Sequence, residues 1–156
     1  MNQKIIGIMD QEIYQENIID HYKNPHNKKV INDFTLTHQE LNPLCGDKII
    51  LYLKIVNGVI KNVSFQGDGC AISQASVSML TDLIMGKTLD EVKTYSEKEI
   101  YHLLGIPISH TRQKCALLSL KTLKRGLVIF EQEQFEEGQL DKGQLEEEQQ
   151  LEEKHA

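Results

Sequence analysis

Asn57-Gly58 separates two runs of strand-forming residues. Lys48 to Val56 is rich in Ile, Leu, Tyr and Val, and in Val59 to Gln66 the residue Ile60 is followed by the alternating Val63 and Phe65. Both turn residues tolerate the positive φ of a type I′ turn, so the pattern demands a β-hairpin. A chain committed to a hairpin must cover at least one of its faces, and the flanking segments carry helical signals that can do so. Gln11 to Tyr22, with Ile13, Tyr14, Ile18 and Ile19 in a polar background, predicts an amphipathic helix stopped by Pro25. A polar connector, Asn27 to Leu41, carries no strong signal.

After the hairpin, Gly67-Asp68-Gly69-Cys70 turns the chain into a predicted helix over Ser73 to Met85, ended by Gly86. Thr88 with Glu91 and Ser96 with Glu99 are capping boxes opening two short helices, the second closed by Gly105 and Pro107. A final helix is predicted from Thr111 to Phe130, with Leu117, Leu120, Leu123, Leu127 and Val128 as its apolar stripe and Gly126 weakening its end. The fold class expected is α+β: a small antiparallel sheet covered by helices.

Beyond Phe130 the composition shifts to Glu and Gln, with Gln-Leu recurring at 139–140, 144–145 and 150–151. Residues 131–156 hold ten acidic side chains and two lysines, a balance of −8; subtracting it from the whole-chain −6 leaves +2 for residues 1–130. The sequence therefore divides into one domain over 1–130 and an acidic tail over 131–156 expected to be disordered or a frayed helix. The near-neutral domain shows neither a nucleic-acid footprint nor a polybasic membrane patch. No apolar run approaches the roughly 18 residues needed to span a bilayer. Met1 to Asp10 reads as a mature cytoplasmic start.

Chemistry enters through three cysteines, Cys45, Cys70 and Cys115. An odd number in a chain without a secretion signal argues against a disulfide framework. One reading is three buried core thiols. The other follows from their positions. Cys45 lies in the turn Asn42-Pro43-Leu44-Cys45-Gly46-Asp47, Cys70 at the sheet-to-helix turn, and Cys115 near the start of the last helix. Such boundaries can aim several groups at one point. Asp47 is close enough to Cys45 to join them, and three thiolates with one carboxylate suit tetrahedral zinc. Helix N-termini behind Cys70 and Cys115 are expected to lower their thiol pKa values.

The local wording around these residues resembles the IscU/SufU (NifU N-terminal-like) family of iron–sulfur cluster assembly proteins. Ile19-Asp20-His21-Tyr22-Lys23-Asn24-Pro25 is similar to the family's N-terminal helix end, and Asn42-Pro43-x-Cys45-Gly46-Asp47 to its first ligand loop. Gly67-Asp68-Gly69-Cys70-Ala71-Ile72-Ser73-Gln74-Ala75-Ser76-x-Ser78-Met79 resembles the second, and Arg112-x-Lys114-Cys115-Ala116-Leu117-Leu118 the third. Lys114 stands where the IscU branch has His, so the likeness is closer to the SufU branch. SufU proteins usually insert extra residues between the second and third cysteines, and the step from 70 to 115 here is nearer IscU length. The Leu-Pro-Pro-Val-Lys segment of IscU is replaced by Ile108-Ser109-His110-Thr111-Arg112.

The resemblance implies zinc held by Cys45, Asp47, Cys70 and Cys115, with Cys45 as the catalytic acceptor of persulfide sulfur from a SufS-like cysteine desulfurase. The chain would then act as a sulfurtransferase with that desulfurase and supply downstream Fe–S assembly proteins or apo-proteins. The alternative it implies is a scaffold holding a 2Fe-2S cluster, or iron, on the same four residues. His21 reads as a structural or surface histidine, His110 as a residue within reach of the site, and Arg112 and Lys114 as cations able to steer an anionic persulfide.

Overall fold

The computed structural model describes the backbone of residues 3–154 and the side chains of residues 10–154. Met1 and Asn2, at the head of the segment read as a mature start, and His155 and Ala156, at the end of the acidic tail, lie outside the described residues. In chain order the elements are α1 (Gln3–Lys23), β1 (Leu36–Asn42), β2 (Asp47–Val56), β3 (Val59–Asp68), α2 (Ala71–Ile84), α3 (Leu89–Lys93), α4 (Glu97–Leu104), a 3-10 turn at His110–Arg112 and α5 (Gln113–Lys154). The chain divides into two compact units, residues 1–126 and 127–156. Among the described residues no helix is long and apolar enough to cross a membrane.

The sheet has order β1-β2-β3 and is antiparallel throughout. The hairpin forms where expected: Asn57 and Gly58 have φ of 52° and 73°, and Val56 pairs with Val59. Further along, Lys54 pairs with Asn62 and Ile55 with Ile60, so Lys61 is the extra residue of a bulge. β2 alternates strictly, with Asp47, Ile49, Leu51, Leu53 and Ile55 buried on one face. With Ile60, Val63 and Phe65 of β3 they build the sheet side of the core. Each apolar side chain among them contributes about 1.5–3 kcal/mol by leaving water.

α2 covers this face, packing on β3, α1 and α4. It buries Val77, Leu80 and Ile84, while α4 adds Ile100 and Leu104. Both capping boxes are present as read, Thr88 with Glu91 and Ser96 with Glu99. Ser76 Oγ donates to the Ala116 carbonyl and lies against Ser119 Oγ, each at 2.8 Å, which ties α2 to α5.

Three boundaries differ from the sequence reading. The first helix, read from Gln11, begins at Gln3. The connector Asn27 to Leu41 contains most of β1, whose inward positions His38 and Glu40 are polar and gave no alternation of apolar residues. The last helix does not end at Phe130; α5 continues to Lys154. Its Glu, Gln, Leu and Lys are strong helix formers and no proline interrupts them. In the second unit Phe135, Leu140, Leu145 and Leu151 are exposed.

Candidate metal centre

The alternation that buries Ile49, Leu51 and Leu53 also puts Asp47 inward, so a carboxylate occupies a core position with 0% exposure. Across the β1–β2 turn it pairs with Asn42, which is likewise buried. The turn itself is held by Asn42: its carbonyl accepts from the Gly46 N–H at 2.9 Å and its Oδ1 from the Leu44 N–H at 3.3 Å. This arrangement leaves Cys45 exposed at the turn.

From the other side, the chain leaves β3 through Gly69 and enters α2. The Cys70 N–H donates to Asp47 Oδ1 at 2.8 Å. Gly69 permits that approach, because a Cβ there would stand 2.3 Å from the same oxygen and 2.7 Å from Ser73 Oγ. Cys70 is the N-cap of α2, half-buried, and its side chain makes no capping bond. Its thiol is thus not committed to the helix end.

Cys115, in the first turn of α5, is 2% exposed. Its thiol donates to Cys45 Sγ at 3.3 Å, and Asn42 Nδ2 bridges to Cys115 Sγ at 3.7 Å and Asp47 Oδ2 at 3.5 Å. One donor atom from each of Cys45, Asp47 and Cys115 lies within 4.8 Å of the others. Three of the four expected site residues therefore converge directly, and Cys70 joins them through its backbone.

The expected fall in the Cys115 pKa is corrected here. Burial pushes this thiol far above its ordinary range; its contacts with Cys45 and Asp47, and the charges of Cys70 and Asp47, push the same way. Removal from water outweighs the helix terminus. A divalent cation would reverse that balance. Among the described residues no ion pair compensates the Asp47 carboxylate. A buried carboxylate and buried thiol sharing one point, with no cation beside them, have the donor chemistry that zinc requires. The residues fit the metal.

His110 and Arg112 lie exposed on the 3-10 turn. His21 is buried rather than on the surface, and it sits with His26 and Asp82 in a separate cluster. The role of Asn42 was not legible as chemistry; the Asn-Pro pair at a turn signalled only the local bend. Beside Cys45 opens a groove of about 760 Å³, lined by Leu41, Pro43, Leu44, Leu117 and Leu120 with Lys114 and Lys121 at hand.

The model of the NifU-like N terminal domain matches residues 13–137. The chain is 37% identical over 132 residues to the zinc-dependent sulfurtransferase SufU of Bacillus subtilis, covering 74% of this chain and 89% of that protein. It is 33% identical over 131 residues to the iron–sulfur cluster assembly scaffold protein IscU of Thermotoga maritima, covering 74% and 92%. A crystal structure from Fervidobacterium islandicum, described as a candidate iron–sulfur cluster assembly scaffold protein for the SUF system, superimposes with a TM-score of 0.60 at 33% identity, over 74% of this chain and 97% of that one.

Proposed function

Because this chain belongs to the family of NifU-like N-terminal domains, we propose that it is a zinc-dependent sulfur acceptor, taking persulfide sulfur from a cysteine desulfurase for iron–sulfur cluster assembly. The observation that carries the reading is the pairing of an exposed Cys45 with a buried Asp47 and Cys115 at one point. Cys45, Asp47, Cys70 and Cys115 are the residues that would hold zinc. Bound there, zinc would supply the positive charge that keeps the thiols as thiolates, the buried Cys115 above all, and sets the site's shape.

This chain's residues divide the remaining work. Cys45, on the exposed turn, is the nucleophile: its thiolate attacks the outer sulfur of the desulfurase persulfide, the S–S bond breaks, and the desulfurase cysteine leaves as a thiolate. Cys45 then carries the sulfur as a persulfide. Asn42 holds the turn and orients Cys115 and Asp47. The apolar groove beside Cys45, with Leu44 77% exposed at its edge, fits the docking of a protein partner rather than a small soluble donor. Residues 131–156 form an appendage that the site does not need.

A second reading, a scaffold for a 2Fe-2S cluster delivered to apo-proteins, draws on the likeness to IscU and on Asp47, since an oxygen ligand labilises a cluster. Metal and acid-labile sulfide analysis of aerobically and anaerobically purified protein separates the two. One zinc per chain without sulfide, together with loss of sulfur acceptance in Cys45→Ala, is the outcome expected. Iron and sulfide in equal amounts would favour the scaffold, and undiminished transfer by Cys45→Ala would remove Cys45 from the acceptor role.

A further inference from the structure

At the other end of α2 from Cys70, a second group of donor side chains comes together. His21, on α1, is 8% exposed and its Nδ1 lies 2.8 Å from Ser78 Oγ of α2. His26 follows the proline that stops α1; its ring centroid is 4.4 Å from that of His21, tilted by 46°. His26 Nδ1 meets Asp82 Oδ2 at 2.5 Å. One donor atom from each of His21, His26 and Asp82 lies within 4.8 Å of the others.

The surroundings hold each donor in place. Ser78 Oγ accepts the His26 N–H at 2.8 Å as well as contacting His21, so one hydroxyl fixes both histidines. Asn27 Nδ2 donates to Asp82 Oδ1 at 2.9 Å and to Thr81 Oγ1 at 3.0 Å. The Asn27 carbonyl accepts the Phe65 N–H at 2.9 Å, which anchors the segment to β3. Metal-bound histidines characteristically use their second nitrogen in such an orienting bond, and ligating carboxylates are themselves hydrogen-bonded.

Access is present too. His26 and Asp82 are exposed, and a cavity of about 330 Å³ bounded by Asn17, His21, Met79, Asp82 and Leu103 opens beside them.

We propose that His21, His26 and Asp82 form a second site, for a divalent first-row transition cation, held by two imidazole nitrogens and one carboxylate oxygen. This donor set, with an open side to solvent, suits zinc, cobalt or ferrous iron over calcium or magnesium. On binding, the ion takes the place of the proton between His26 and Asp82, which leaves to water. The site is independent of the thiols: Cys70 and Asp82 are twelve residues apart, about 18 Å along the helix axis.

The test uses the untagged full-length chain, given one equivalent of zinc for the thiol site and then titrated with more zinc by calorimetry. One further equivalent is expected, bound at least about tenfold more weakly by a His26→Gln, Asp82→Asn double variant that keeps its first zinc. Histidine ring NMR signals of the native chain give a readout that needs no variant. Those of His21 and His26 must shift with the second equivalent, whatever occupies the thiols. No second uptake, equal uptake by the variant, or shifts confined to other histidines would each show a hydrogen-bonded latch and no metal site.

Discussion

The Cys70 N–H donates to Asp47 Oδ1 at 2.8 Å, so the backbone of one expected ligand holds the side chain of another. The start of α2 and the start of β2 are thereby fixed to each other before any metal binds. Asp47 has two separable jobs, accepting that hydrogen bond and carrying negative charge.

Two substitutions separate those jobs. Asp47→Asn keeps an acceptor for the Cys70 N–H and removes the charge, so it is expected to fold normally and bind zinc at least tenfold more weakly. Asp47→Ala also leaves the buried N–H without a partner, and should lose about 1–3 kcal/mol of stability in addition. Zinc stoichiometry and urea melting of chelated protein measure the two effects. Equal zinc affinity in Asp47→Asn and the native chain would mean that the carboxylate is not a ligand.

Gly69→Ala tests the geometry without touching a ligand. The added Cβ would stand 2.3 Å from Asp47 Oδ1, at a φ of 157° that side chains rarely adopt. Backbone strain of this kind costs about 1–3 kcal/mol. Weakened zinc binding with all four ligands present is expected, read by competition with a chelating dye. Unchanged affinity would show that the Asp47–Cys70 contact is dispensable.

His21 makes stability depend on pH. Burial lowers its pKa below 6.5, and the charge of His26 adds to this against the opposing carboxylates of Asp82 and Asp20. Above 6.5 the ring is neutral in folded and unfolded chains alike and contributes no slope. As pH falls below 6.5 the unfolded chain takes up a proton that the folded chain resists, so stability drops toward the lower folded pKa. Urea melting of chelated protein between pH 7.5 and 5.5 should show this fall, smaller in His21→Gln. An identical slope in both would assign it to other groups.

A chain ending at Phe130 is expected to bind zinc and accept sulfur as the full chain does, measured with the same desulfurase. A several-fold loss would give residues 131–156 a part in partner engagement.

The sequence exposed those features whose cause is local. Asn57-Gly58 turns because its own backbone tolerates positive φ, and Thr88 and Ser96 cap because Glu91 and Glu99 stand three residues on. β1 was hidden because its inward side chains are satisfied across the fold. His38 Nε2 meets Glu40 Oε1 at 2.9 Å, and Arg125 of α5 reaches the same carboxylate at 3.1 Å. Gly126, read as a weak point, lies where a Cβ would come within 3.0 Å of the His38 side chain, so α5 passes close to β1 there. The site followed the same division. Turn and boundary positions marked Cys45, Cys70 and Cys115, whereas Asn42 as a bridge and the His26–Asp82 contact depend on partners 73 and 56 residues away.

The bulge at Lys61 also decides where this chain can gain or lose length. Between Cys45 and Cys70 the strand residues are matched against a neighbouring strand, and the one unmatched residue inside β3, Lys61, brings Asp68 opposite Lys48. Deleting Lys61 itself would only regularise the pairing, whereas deleting a paired residue between Asn62 and Asp68 would slide the end of β3 by one place and carry Cys70 away from Asp47. Between Cys70 and Cys115 the path runs instead through the unpaired stretch 105–109. Extra residues there would enlarge the rim and leave the donor atoms where they are, so the paired residues of the first interval behave as a fixed count and the second interval as a place where relatives can differ.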